Sequence, residues 1–177
     1  MVRRTFGIPV FGNPLIRDEM ILILAYGNSL RRDDGAGFVL AEKLEGLLSK
    51  PGLDVLRIDS HQLTPELSLD ISGEDVRSVI FIDTRAVSGP SDDLELHLEK
   101  VVPAEIASPS VGHHFNASLL MAYTKYLFKK EPPAWIITIP GVDFDHGEGL
   151  SAVARKSLED APEKLRNLIE QIAPSSD

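Results

Sequence analysis

The chain has 177 residues, a formal charge of −9 at pH 7 and no cysteine. This length suits one domain with a sizeable core. The negative charge, without clustered Lys and Arg, argues against a nucleic-acid or anionic-membrane surface. The lack of cysteine excludes disulfides, thiolate nucleophiles and cysteine-based metal sites, and no apolar run approaches the roughly 20 residues of a membrane span. We therefore expect a soluble, cytoplasmic and monomeric protein that contacts neither nucleic acid nor membrane.

The amino-terminal segment, residues 1–19, precedes the first regular element. Arg3 and Arg4 hint at a twin-arginine export signal, but Pro9 interrupts the apolar stretch 7–12. That stretch is also shorter than the roughly 7–15 apolar residues of a secretory signal. We therefore predict a flexible arm at 1–19, one α/β domain at 20–173 and a short tail at 174–177.

The first regular element is an unbroken apolar run, 20–26, which is typical of a strand buried on both faces. It ends at Gly27, where a polar turn begins. A helix is predicted from Ala36, because apolar residues then recur every three to four positions. Asp33 and Asp34 stand where that helix begins, and in open α/β sheets ligands bind at such junctions.

The remaining strands and helices alternate along the chain. Strands are predicted at 53–58, 76–83, 94–101 and 135–139, and the run at 94–101 alternates strictly, as an edge strand with one wet face does. Helices are predicted to begin at the caps Thr64, with Pro65 in the first position, and Asn116. A closing helical region, 150–172, is predicted to break or kink at Pro162.

This alternation predicts a three-layer αβα domain, with a mostly parallel twisted sheet of about five strands and helices on both faces. Right-handed crossovers then bring the carboxyl ends of the strands to one edge. The polar residues expected at that edge come from three loops, and they are Asp33, Asp34, Asp83, His113 and His114.

Carboxylates and an imidazole that converge from three loops form an oxygen and nitrogen ligand set suited to a divalent transition metal. Because the dipole of the following helix disfavours imidazolium, at least one of His113 and His114 should stay neutral and able to coordinate. For the two adjacent acids we predict a division of roles. Asp33 caps the helix, and Asp34 faces the cleft.

Other interpretations of these residues are structural. Asp83 could cap a turn instead of binding a ligand. Arg31 and Arg32 are most simply a solvated pair, although they could hold a peptide carboxylate. His97 is expected to be solvated in the edge strand, whereas His61 and His146 flank the cleft. A nucleotide site is disfavoured, since neither G-x-G-x-x-G nor a Walker lysine is present, and no G-x-S-x-G elbow marks a serine nucleophile.

Three segments, AYGNSLRRDDGAG, FIDTRA and SVGHHFNASLL, resemble in the same order the hydrogenase maturation proteases, which trim the large subunit of [NiFe] hydrogenases. The resemblance runs from Met20 to about Ile172 and implies a phosphorylase/hydrolase-like fold. It also implies that Asp34, Asp83 and His113 bind metal and carry catalysis, with His114 as second choice. Arg32 stands where this family commonly has a small residue, often glycine, and Gly112 where many members have Ser or Thr.

The resemblance further implies an endopeptidase that removes the carboxyl-terminal extension of a [NiFe] hydrogenase large-subunit precursor. Nickel already bound in the precursor would be the recognition element, and another divalent metal could occupy the site at rest. The segment HQLTPEL resembles the branch of the family that serves soluble, bidirectional hydrogenases. Two alternatives stay open, namely a metal-sensing assembly factor that does not cut and a peptidase of the same fold that is indifferent to nickel.

Overall fold

The computed structural model describes the backbone of residues 3–6 and all of residues 19–49, 53–88, 93–105 and 115–172. Six strands form one sheet in the order β1-β3-β2-β4-β6-β5. Their bounds are Arg3–Phe6 (β1), Glu19–Tyr26 (β2), Leu53–Ser60 (β3), Val76–Ala86 (β4), His97–Lys100 (β5) and Ala134–Gly141 (β6).

The inner strands β3, β2, β4 and β6 are parallel, and the edge strands β1 and β5 pair antiparallel. The mostly parallel sheet is confirmed, and all five predicted strands are present. The sixth, β1, lies within the segment that we expected to be an arm, where the sequence has no strand pattern. The division into arm, domain and tail stays a prediction.

Among the described residues, five α-helices cover the sheet, with bounds Ala36–Leu48 (α1), Leu67–Ile71 (α2), Ala117–Phe128 (α3), Ala152–Lys164 (α4) and Arg166–Ile172 (α5). Side chains of β2 alternate between two separate cores. Ile21 and Ile23 pack with α1, α4 and α5, whereas Leu22 and Leu24 pack with α2 and α3. Burying both faces explains the unbroken apolar run of this strand and confirms the three-layer architecture. No helix in the described part of the chain is long and apolar enough to cross a membrane.

The helix ends test three predictions. Asn116 caps α3 as predicted, since its side-chain oxygen accepts from Leu119 N–H at 2.9 Å. The predicted cap at Thr64 is wrong, because residues 64–67 form a separate turn and the N-cap of α2 is Glu66. The break predicted at Pro162 is displaced to Leu165, between α4 and α5.

The continuation of α4 through Pro162 has a visible cause. Proline cannot donate to the carbonyl four residues earlier, which belongs to Leu158. That carbonyl instead accepts from Lys43 Nζ at 3.1 Å. A side chain of α1 therefore satisfies the acceptor that the proline leaves without a partner.

The strand order places a topological switch point between β2 and β4. The chain leaves β2 through α1 to β3 on one side, then returns through α2 to β4 on the other side, and the two helices lie on opposite faces. Ligands of open α/β sheets bind in the crevice at the carboxyl ends of such strands. Here the crevice is widened, because the pairing of β2 with β4 ends at Ala25 with Ile82, while β4 continues three residues past Asp83 beside β6.

Candidate functional site

The turn that leaves β2 depends on Gly27. Its φ of +145° lies in the region that disfavours side chains. A Cβ there would also lie 2.2 Å from the carbonyl oxygen of Asp34. This close approach needs glycine, and it brings the backbone of Asp34 against the carboxyl end of β2.

Asp33 is fully buried and binds the loop that follows β6. Its Oδ2 accepts from Val142 N–H at 2.8 Å and Asp143 N–H at 3.1 Å, and its Oδ1 accepts from Ser151 N–H at 2.7 Å. The prediction that Asp33 caps the helix after it is therefore wrong. The N-cap of α1 is Gly35, without a side-chain bond, because the Asp33 carboxylate is directed at residues more than 100 positions away.

Arg31 and Arg32 are held against the same loop and are not a simple solvated pair. Arg31 Nε donates to the Phe144 carbonyl at 3.1 Å, and Arg32 N–H donates to the Gly147 carbonyl at 3.1 Å. The guanidinium of Arg32 bonds to the carboxylate of Asp143 and holds the pKa of that carboxyl below its usual range. Arg32 has a φ of +41°, a left-handed conformation that favours glycine, and its side chain is anchored by this ion pair.

Asp34 follows Asp33 and is half-buried. Its Oδ1 lies 3.5 Å from the position that a Cβ on Gly27 would occupy, at the end of β2. Burial is the main cause of the raised pKa of Asp83, and the negative charge of Asp34 adds to it, so the two carboxyl groups are electrostatic neighbours at the crevice. The structure thus brings together two of the predicted site residues.

Asp83 lies on the part of β4 that extends past the end of its pairing with β2. Burial, with a further contribution from the charge of Asp34, raises the pKa of Asp83 from 3.8 to about 6. Two hydrogen bonds oppose this rise, one from Thr84 N–H at 2.7 Å and one from the hydroxyl of Tyr26. Burial and the nearby Asp83 raise the pKa of Tyr26 well above its ordinary value, so the hydroxyl keeps its proton and acts as the hydrogen-bond donor. No cationic side chain of the described residues contributes to the pKa of Asp83.

The predicted histidine ligands, His113 and His114, lie outside the described residues. Within the described ranges, no three His, Asp or Glu side chains are grouped so as to hold a metal ion. The two acids present do fit a divalent cation in their chemistry, since they supply oxygen ligands and negative charge.

The other three histidines, His61, His97 and His146, belong to the described residues. His61 and His146 are exposed. His97 is half-buried, and its Nε2 lies 2.6 Å from Asp93 Oδ2 and 3.3 Å from Arg85 Nη2, so the expectation that it is merely solvated is wrong. The reason is that β4 extends far enough for Arg85 to reach the segment before β5.

Sequence reasoning misses two contributions to this region. It assigns Asp33 to a local cap, and nothing in the sequence identifies the distant amides that this residue binds. It treats Tyr26 only as the end of an apolar strand. A signal for Tyr26 is present in the register, because Tyr26 and Asp83 directly follow Ala25 and Ile82, the last paired residues of the parallel strands β2 and β4.

These features define a doubly wound α/β protein with an acidic crevice at its switch point, and its solved structural relatives share this fold. The hydrogenase maturating endopeptidase HybD from E. coli superposes with a TM-score of 0.64 at 20% identity, over 85% of this chain and 92% of that chain. The [NiFe] hydrogenase maturation protease HycI from Thermococcus kodakarensis KOD1 gives 0.60 at 18% identity, over 85% and 92% of the two chains.

A third relative is the hydrogenase 2 maturation peptidase from Thaumarchaeota archaeon SCGC_AB-539-E09, with a TM-score of 0.57 at 20% identity, over 85% of this chain and 98% of that chain. No protein-family model and no curated protein sequence matches the chain. The chain therefore has the fold of the hydrogenase maturation proteases, and the resemblance noted in its motifs is confirmed at the level of fold.

Proposed function

We propose that the protein is an endopeptidase that removes the carboxyl-terminal extension of a [NiFe] hydrogenase large-subunit precursor after nickel has been inserted. Two lines support the proposal. The motifs around Asp34, Asp83 and His113 resemble those of the maturation proteases, and structures named as such proteases share the fold over most of their length.

The observation that carries the proposal is the convergence of Asp34 and Asp83 from two loops at the switch point. Burial raises the pKa of Asp83, and the negative charge of Asp34 raises it further. Such a pair favours a cation from outside the chain. The precursor's nickel is a cation of this kind, and it would arrive with the substrate.

In this proposal Asp34, Asp83 and His113 contact the nickel of the precursor, with His114 as the alternative to His113. Carboxylates and an imidazole can touch that ion without extracting it, because thiolates bind soft metals more strongly and this chain has no cysteine. A cysteine-free chain also fits the reducing cytoplasm in which we propose that the reaction occurs. Another divalent cation could fill the same position before the precursor binds.

The chemistry follows from this contact. Once the nickel is held, the scissile peptide lies beside the crevice, and the metal or an adjacent acid polarises its carbonyl or orients the attacking water. Asp83, whose pKa burial raises to about 6, is still mostly ionised at neutral pH and can therefore meet the nickel as a carboxylate. Its position on a strand, between two anchoring hydrogen bonds, keeps the carboxylate in place before the substrate arrives.

The decisive experiment compares nickel-loaded with nickel-free precursor. Wild-type protein should release the extension only from the loaded form, as seen by a mobility shift on a gel and by mass spectrometry. Asp34→Asn and Asp83→Asn should each lower cleavage by at least about 100-fold while the fold is retained, because each removes a charged contact to the nickel. His113→Ala and His114→Ala, made separately, identify the coordinating ring. His146→Ala, which removes an exposed histidine from the loop after β6, tests whether the loss is specific to positions 113 and 114.

Each alternative function gives its own result. Binding of the loaded precursor without release of a fragment would indicate a metal-sensing assembly factor. Equal cleavage of both precursor forms would indicate a peptidase that ignores nickel. Full cleavage by both Asp→Asn variants would overturn the proposed site.

A further inference from the structure

Tyr26 lies beside Asp83 for a reason that can be read from the sheet. It is the last residue of β2, and Asp83 follows Ile82, the last residue of β4 in register with β2. Leu24 and Phe81, each two residues earlier, belong to the same core, so Tyr26 and Asp83 point to the same face. The hydroxyl of Tyr26 donates a hydrogen bond to the Asp83 carboxylate.

The two bonds to Asp83 come from different directions. Thr84 N–H binds Oδ1 at 2.7 Å and belongs to the residue directly after Asp83. The Tyr26 hydroxyl comes from the neighbouring strand. One local and one cross-strand donor fix the rotation of the carboxylate, because a single local bond leaves it able to turn about its side-chain bonds.

We propose that Tyr26 is a positioning residue, which orients the Asp83 carboxylate toward Asp34 so that both acids meet the cation carried by the substrate. The proposal rests on the proposed function, which it extends by one residue. Tyr26 itself does not touch the cation in this scheme. Its ring packs under β2 and β4 with Leu24 and is only partly exposed, while its hydroxyl reaches the edge of the crevice.

The test uses Tyr26→Phe in the full chain, because phenylalanine keeps the ring and removes only the donor. The matched control is Tyr126→Phe, since Tyr126 lies on α3 and is 47% exposed, with its ring beside Lys129. The first readout needs no substrate. The ¹³C chemical shift of the Asp83 carboxyl carbon, measured by NMR, should move in Tyr26→Phe and stay unchanged in Tyr126→Phe.

The second readout is the ratio of affinities for nickel-loaded and nickel-free precursor, measured by calorimetry. Loss of a hydrogen bond behind a metal-contacting carboxylate lowers metal affinity by about 10–100-fold. Tyr26→Phe should therefore lower the ratio by that factor. In an Asp83→Asn background the same substitution should change it less than about 2-fold, because the carboxylate that Tyr26 holds is no longer there.

The outcomes separate this inference from the proposed function. If the carboxyl signal moves but the affinity ratio stays at the wild-type value, Tyr26 is structural and the inference is overturned. An unchanged carboxyl signal overturns it as well. If wild-type protein does not distinguish the two precursor forms, the proposed function fails, and the role of Tyr26 fails with it. Should Tyr26→Phe not fold, an NOE in the wild-type protein from the Tyr26 hydroxyl proton to the Asp83 β protons supports the bond, and its absence overturns it.

Discussion

Replacing Asp33 with asparagine should weaken the hydrogen bonds that hold the loop after β6 to the turn before α1. The new side chain can turn its carbonyl oxygen toward Val142 and Asp143, whose N–H groups contact Oδ2 in the native protein. Its amide NH2 group then faces the N–H of Ser151, which in the native protein lies 2.7 Å from Oδ1. One bond to a charged acceptor is replaced by a contact between two donors, and the other two bonds lose their charge assistance.

The size of the loss can be worked from these bonds. A hydrogen bond to a charged group contributes about 1.5–3 kcal/mol, and an unsatisfied buried donor costs a further ~1–3 kcal/mol. Val142 and Asp143 are partly exposed, so water can restore some of the lost bonding. We expect the free energy of unfolding to fall by roughly 2–4 kcal/mol, a large share of the typical 5–15 kcal/mol of a domain.

The assay is urea unfolding followed by the fluorescence of Trp135, the only tryptophan of the chain, which lies on β6. Hydrogen exchange should accelerate at the Val142, Asp143 and Ser151 amides, and most at Ser151. The control is Asp145→Asn, an exposed acid in the same loop, which should stay within about 0.5 kcal/mol of wild type. An Asp33→Asn protein as stable as this control, with unchanged exchange at Ser151, would refute the role assigned to Asp33.

Three further outcomes are expected from thermal or urea unfolding of single variants. Gly27→Ala should lower the free energy of unfolding by about 3 kcal/mol or more, because the new Cβ would lie 2.2 Å from the Asp34 carbonyl oxygen. Gly46→Ala, at an exposed position of α1 with no atom within 4 Å of the new Cβ, should instead raise it by about 0.5–1 kcal/mol. Equal effects of the two substitutions would contradict the close approach at Gly27. Asn116→Ala should cost about 1 kcal/mol through loss of the α3 cap, and no change would mean that the bond to Leu119 N–H does not form in solution. Asp83→Asn should raise stability above pH 7 by at most about 3 kcal/mol, since a carboxyl with a folded-state pKa near 6 instead of 3.8 opposes folding once ionised. That gain should shrink as the pH falls through 6 and vanish below 3.8, and a gain independent of pH would contradict the raised pKa.

The fold is predicted well from the sequence because its signals are local. An apolar run such as 20–26 and the cap at Asn116 report their own structure, and the order of strands and helices then limits the sheet to few topologies. The convergence of Asp34 and Asp83 follows from the same reasoning. β1 is missed because its pairing with β3 depends on a partner about 50 residues away and not on a pattern of its own.

The errors concern long-range polar contacts. Asp33 is assigned to the nearest helix, whereas its partners lie 109–118 positions further along the chain. Pro162 is expected to break a helix, because the sequence does not reveal that Lys43 donates to the Leu158 carbonyl, which the proline leaves without a helical partner. In both cases a tertiary hydrogen bond overrides a local rule, and neither partner has a sequence signature.

The hydrogen bonds that hold the loop after β6 also determine where this loop could accept inserted residues. Contacts to the first turn fix Val142, Asp143, Phe144, Gly147 and Ser151. Between the last two anchors, Glu148 and Gly149 are exposed. Because closing a somewhat longer loop costs little entropy, residues inserted at 148–149 would leave both anchors in place. This part of the loop can thus lengthen while the hydrogen bonds that hold it to the first turn are kept.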